Sequence, residues 1–168
     1  MVLVVMGPTG SGKTTVGELL AQRLGWKFAD ADDYHSPENK EKIHRGIALT
    51  DADRAPWLAA LHDQIARWIA SRENAVLACS ALKQSYREEL GKAPDVRFIY
   101  LKGSYDLIYK RLLERKGHFA DEHILASQFQ TLEEPTDSEA VTVDISGTPE
   151  RIVEDIVARL SLTSKNSP

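Results

Sequence analysis

The sequence predicts an α/β protein on a mainly parallel sheet whose working edge is the carboxyl end of the strands. Three observations carry this. Five short Val- and Ile-rich runs alternate with apolar stripes of helical period, as strands covered on both faces do. The first run leads into Gly7-Pro8-Thr9-Gly10-Ser11-Gly12-Lys13-Thr14, a G-x-x-x-x-G-K-[ST] segment that opens the first helix. With 168 residues, 42% hydrophobic and 27% charged, the chain has the size and composition of a single globular domain rather than of a disordered or fibrous protein.

The strand runs are Val2 to Met6, Trp26 to Ala29, Ala75 to Cys79, Val96 to Leu101 and Ala140 to Ile145. Between them, Val16, Leu19, Leu20 and Leu24 mark a helix that stops at Gly25. Trp57, Leu58, Leu61, Ile65, Trp68 and Ile69 mark a longer one, with Asp53 expected as its N-cap and Pro56 in its first turn. Leu82, Tyr86 and Leu90 form a third stripe, and Tyr105, Ile108, Tyr109 and Leu112 a fourth behind Ser104. A last helix begins with Thr148 as cap and Pro149 at the first helical position. Two stretches are too long for simple crossovers. Residues 33–72 are expected to hold substrate and residues 114–135 to act as a lid, while 163–168 read as a frayed tail.

Lys plus Arg number 21 against 25 Asp plus Glu, a formal charge of -4, so the overall field does not favour nucleic acid or an anionic membrane. No apolar run approaches the ~20 residues that span a bilayer. A single cysteine, Cys79, precludes an intrachain disulfide and reads as a small buried filler. With no export signal at the first apolar run, the cytoplasm is the expected compartment.

Residues 7–14 are a phosphate cradle. Glycines let successive N–H groups converge on phosphate oxygens, and the helix that follows adds its positive end. On this reading Gly7 through Thr15 bind nucleotide, Lys13 neutralises the β and γ phosphates of ATP, and the Thr14 hydroxyl ligates Mg²⁺. A GTPase also needs an N-K-x-D motif, which is absent; Asp144-Ile145-Ser146-Gly147 fits D-x-x-G but falls at the last strand.

Asp30-Ala31-Asp32-Asp33-Tyr34-His35 follows the second strand. Carboxylates there suit two tasks, orienting the metal (Asp30) and accepting the proton of an attacking hydroxyl (Asp32). The i, i+2 spacing is expected to keep both on one side of an extended segment. Arg54, at a helix entrance, suits a substrate carboxylate through a two-pronged guanidinium contact. Lys83 and Arg87, one helical turn apart after the third strand, are expected on one face. Arg111 and Arg115 are similarly spaced before Gly117, as lid arginines that meet the γ-phosphate on closure.

Together these segments, with Leu49 through Leu58, Ala78 through Lys83, Tyr86-Arg87, Leu101 through Ser104, Arg111 through Phe119 and Gln128 through Glu133, closely resemble the gluconokinases of the small P-loop kinase type, relatives of shikimate kinase and the nucleoside monophosphate kinases. The resemblance implies a three-layer α/β/α fold with a five-stranded sheet, a helical substrate-binding insertion and a lid. It also implies ATP- and Mg²⁺-dependent phosphorylation of D-gluconate at the 6-hydroxyl, commonly by a homodimer, feeding the pentose phosphate or Entner–Doudoroff routes. Lys13, Asp32, Arg111 and Arg115 are then the catalytic residues. Asp32, His35, Arg54, Ser80, Lys83, Arg87 and His118 bind substrate, Arg111 also binds nucleotide, and Thr14 and Asp30 hold the metal. The competing expectations are a kinase for another hydroxy acid such as shikimate, and a nucleotide-binding switch without turnover.

Overall fold

The computed structural model describes residues 1–116 and 122–163. These form five strands, β1 (Val2–Met6), β2 (Lys27–Asp30), β3 (Ala75–Ala78), β4 (Val96–Lys102) and β5 (Ala140–Asp144). The α-helices are α1 (Lys13–Leu24), α2 (Pro37–His44), α3 (Asp51–Ala70), α4 (Gln84–Leu90), α5 (Tyr105–Lys116), α6 (Glu122–Thr131) and α7 (Pro149–Arg159). All strand pairs are parallel, in the order β2-β3-β1-β4-β5. Every expected strand is present within a residue of its expected ends.

The pleat divides the core in two. Val2, Val4 and Met6 point to one face of the sheet, where they meet Trp57, Leu61, Ile65 and Trp68 of α3 and Tyr86 and Leu90 of α4. Leu3 and Val5 point to the other face, against Val16, Leu20 and Leu24 of α1, Ile108 and Leu112 of α5, and Ile152, Val153 and Ile156 of α7. All five β1 side chains are fully buried, so β1 is the axis from which the phosphate loop departs.

Two local expectations change. The N-cap of α3 is Thr50, not Asp53: the Thr50 hydroxyl accepts the Asp53 N–H at 3.1 Å and the Asp53 carboxylate accepts the Thr50 N–H at 3.0 Å. This reciprocal capping box starts the helix at Asp51, which moves Pro56 from the first turn into the helix interior. Asp53 is further tied to Lys42 at 2.9 Å, and its backbone carbonyl to the Asn39 amide at 2.8 Å, so it joins α2 to α3. These contacts hold the Asp53 carboxyl at about 2, the N–H of Thr50 and the Lys42 ammonium both favouring the anion.

Within residues 33–72, α2 and the chain up to residue 50 stand off the sheet, whereas α3 packs on it. Thr148 caps α7 through the Arg151 N–H at 3.3 Å, with Pro149 at the first helical position, as the sequence predicts.

Candidate active site

The carboxyl ends of β1, β2 and β3 frame a cleft of about 210 Å³. Its floor is the loop between β1 and α1. Gly10 has φ +78°, and a Cβ there would lie 2.7 Å from Leu112 Cγ, so only glycine lets the loop close on α5. Gly12 is the left-handed N-cap of α1, with φ +93°. Beyond it the first-turn N–H groups of Lys13, Thr14 and Thr15 have no intrahelical acceptor and carry the helix's positive end. Ser11 faces inward: its hydroxyl is buried without a partner and its N–H donates to the Pro8 carbonyl at 3.2 Å. Gly7 N–H donates to the Ser80 carbonyl at 3.2 Å, which fixes the loop to the end of β3.

Lys13 Nζ donates to the Pro8 carbonyl at 3.0 Å. Burial lowers its pKa, opposed by the negative charges of Asp32 and Asp30. A lysine so desolvated gains more from an arriving phosphate than an exposed one does. Thr14 Oγ1 donates to Asp30 Oδ2 at 3.1 Å. Asp30 Oδ1 in turn accepts the Asp32 N–H at 2.9 Å.

That last contact corrects the expected geometry. The chain is not extended through residue 32, since Asp30 ends β2 and caps a 3₁₀ turn over Ala31–Tyr34. The turn, not strand alternation, brings both carboxylates to the cleft wall beside Lys13. Burial first, then the neighbouring Asp30, raises the pKa of Asp32, with Lys13 opposing. Cys79 also lines the cleft, where burial pushes its thiol up to about 12. It is no nucleophile.

Thr9, Gly10, Gly12, Lys13, Thr14, Thr15, Asp30, Asp32, Ser80 and Arg115 therefore meet in one cleft. Arg111 does not line it; its guanidinium donates to the Ile145 carbonyl at 2.5 Å, pinning α5 to the end of β5. His118 lies outside the described residues. A residue that opens the Gln128 through Glu133 segment of the resemblance, but to which the sequence assigned no role, joins the cleft: Gln128 of α6, whose Oε1 accepts the Thr9 N–H at 2.6 Å.

A second cluster lies where α3 and α4 begin. Asp51 accepts from Lys83 Nζ at 3.0 and 3.2 Å and from the Tyr86 hydroxyl at 2.5 Å. Arg54 Nη1 donates to that same hydroxyl at 3.3 Å. Both cations also approach the Tyr86 ring, Lys83 Nζ at 5.5 Å and Arg54 Cζ at 5.8 Å from its centre. Two cations and one carboxylate leave one positive charge uncompensated.

Arg87 does not share a face with Lys83. Lys83 is the N-cap of α4, in extended backbone, which breaks the helical spacing. Arg87 is 4% exposed and donates to the carbonyls of Ala81 and Leu82 at 3.1 and 3.2 Å, with Glu139 at 3.7 Å. It braces the loop after β3. His35 is also buried, stacked on Trp57 with ring centres 4.5 Å apart, and Trp57 Nε1 donates to the Ala31 carbonyl at 2.7 Å. Burial lowers the His35 pKa, and Arg54 lowers it further, so the ring is neutral at pH 7.

Comparison with known proteins agrees with this architecture. The family model described as shikimate kinase matches residues 9–161. A probable gluconokinase from Mus musculus is 50% identical over 86% of this chain and 90% of its own length. The gluconokinase of Gluconobacter oxydans is 47% identical over 92% of this chain and 88% of its own. A solved gluconokinase structure from Sinorhizobium meliloti, 43% identical, superposes with a TM-score of 0.87 over 95% of this chain and 91% of that one. By fold, phosphate loop and relatives, the chain belongs to the gluconokinases, within the small P-loop kinases that the shikimate kinase model describes.

Proposed function

We propose that this chain transfers the γ-phosphoryl group of ATP to the 6-hydroxyl of D-gluconate, giving ADP and 6-phospho-D-gluconate. The observation that carries the reading is the placement of Lys13 and Asp32 on one cleft wall, a cation for the phosphates beside a carboxylate for the acceptor proton. Phosphoryl transfer asks a protein chiefly for positioning and charge stabilisation. Loop amides and Lys13 hold the phosphates. Asp32 takes the hydroxyl proton as the acceptor oxygen bonds to phosphorus and the bond to ADP breaks, then releases that proton to water. Its raised pKa makes it a stronger base than an ordinary carboxylate.

The Thr14 hydroxyl and Asp30 carboxylate, 3.1 Å apart, fit a cation that takes few protein ligands and completes its shell with phosphate oxygens and water. They would hold Mg²⁺, which would supply positive charge against the phosphates. Arg54 and Lys83 receive the gluconate carboxylate on their uncompensated positive charge, with Asp51 and Tyr86 fixing both. Arg115 acts from the lid side of the cleft. His35, behind Trp57, shapes the acceptor side without charge. We further infer a cytoplasmic homodimer, after the resemblance.

The test is ADP release from Mg-ATP with D-gluconate, shikimate, nucleoside monophosphates or no acceptor, side by side. Selective release with gluconate is expected. Release with another acceptor reassigns the acceptor site, and ATP binding without acceptor-dependent turnover removes the kinase reading.

A further inference from the structure

Gln128 is a polar side chain of the cleft to which the proposed chemistry gives no task. It lies half-buried on α6, 119 residues along the chain from the loop it touches. The partner at 2.6 Å is a backbone N–H, which can only donate, so the amide oxygen must be the acceptor there. That fixes the orientation of the carboxamide. Its NH₂ group is left over, with no hydrogen bond from it to a described residue. The side chain lines the same cleft as Lys13, Asp32 and Arg115.

The helix that carries Gln128 is anchored just beyond it. Glu133 N–H donates to the Leu82 carbonyl at 2.9 Å, and the Glu133 carboxylate accepts the Gln84 N–H at 2.8 Å. The side chain is thus held at its tip by the phosphate loop and at its root by the start of α4. A donor fixed in this way costs no reorganisation when charge develops nearby.

We propose that Gln128 is a phosphoryl-positioning residue: with its carbonyl held by the Thr9 N–H, its carboxamide NH₂ donates to an oxygen of the phosphoryl group in transfer. The proposal rests on the kinase reading. In transfer, negative charge is spread over the oxygens of the moving group, and a neutral donor serves them without adding a further cation to a cleft that already holds Lys13 and Arg115. The geometry also allows a lesser role, a simple latch between α6 and the loop, and a contrary one, a place-holder that the nucleotide displaces.

Two variants separate these. Gln128→Glu keeps an acceptor for the Thr9 N–H and removes the NH₂; Gln128→Met keeps the length and removes both. Steady-state kinetics, Mg-ATP binding by calorimetry and melting temperature are measured for each. The expected result is a kcat loss of ~100- to 1,000-fold in both variants, the scale of one lost transition-state donor. Gluconate KM and Mg-ATP affinity stay within about threefold of wild type, judged by the KM-against-kcat split.

Wild-type kcat in both variants overturns the proposal, as does wild-type kcat in Gln128→Glu with loss only in Gln128→Met, the signature of a latch. Tighter Mg-ATP binding by Gln128→Met overturns it in favour of the place-holder. A Gln128→Glu defect confined to Mg-ATP affinity overturns it as charge repulsion alone. Wild-type turnover with gluconate in the same run tests the acceptor assignment separately. If that turnover is absent, the variant ratios are read from acceptor-independent ATP hydrolysis.

Discussion

At the end proposed for nucleotide, anion binding is prepared by backbone: a glycine-rich loop, the first turn of α1, and one lysine whose nearest side-chain charges sit at the end of β2 and in the turn that follows it. At the proposed acceptor end it is prepared by side chains that already hold one another, with Asp51 on Lys83 and Tyr86, and Tyr86 on Arg54. The first arrangement is rigid because the covalent chain makes it so. The second is rigid only while its members remain paired. Substitutions at the first end should therefore remove function outright, whereas those at the second should loosen recognition by degrees.

The sharpest break in that contrast is Lys13→Ala. Loss of at least ~10³-fold in kcat/KM is expected, on the scale of a cation that meets transferring phosphoryl oxygens, with the fold unchanged by circular dichroism. Turnover near wild type would remove the loop from the chemistry.

Asp32→Asn comes next, with a kcat loss of ~100-fold or more if Asp32 accepts the proton, and little change in either KM. As Asp32 must be ionised to act and its pKa is raised, the acidic limb of the wild-type pH–rate profile should lie above the ordinary carboxylate range and vanish in the variant. The stability effect has the opposite sign. A carboxylate with a raised folded pKa favours folding at acid pH, and that contribution is lost as pH rises through the raised value. Replacing it with a neutral amide should raise the melting temperature at pH 7. A fall would mean that the Lys13 attraction outweighs burial and the repulsion of Asp30.

Arg54→Lys tests the acceptor end. A KM increase for gluconate of ~10-fold, with Mg-ATP unaffected, is expected, because an ammonium cannot reproduce the fork that reaches both Tyr86 and a carboxylate. Equal KM values would show that Lys83 alone suffices. The smallest effect is structural: Thr50→Ala removes one half of the capping box and should cost about 1 kcal/mol. This is a melting shift of roughly 2–4 °C for a domain of this size, leaving kcat unchanged.

The same division governs what could be read from residues alone. The phosphate loop is local in sequence, and its glycine spacing states its own geometry, so strand, loop and helix were legible together. Thr148 and Pro149 announced α7 in the same way. The capping of α3 was misplaced because Thr50 and Asp53 both cap well and only the three-residue reach between them decides the start. Arg87 was expected to share a face with Lys83 and to bind substrate because helical spacing was carried through both, and one residue of extended backbone at the helix entrance cancels that spacing. The Asp30 and Asp32 pairing was right in outcome for a wrong reason, since a side-chain cap forms the turn. Gln128 showed only as the first residue of a segment of the resemblance, without a role, because an amide has no spacing rule and its partner is a main-chain group 119 positions away.

Cys79 has a practical consequence. It is the sole thiol of the chain, 2% exposed, and its pKa of about 12 leaves almost no thiolate at neutral pH. Maleimide dyes and spin labels attack thiolates, so they should pass over the native protein and mark any cysteine engineered onto α6 or α2. Distances between the two sides of the cleft can thus be followed by spectroscopy during turnover without first deleting a natural residue.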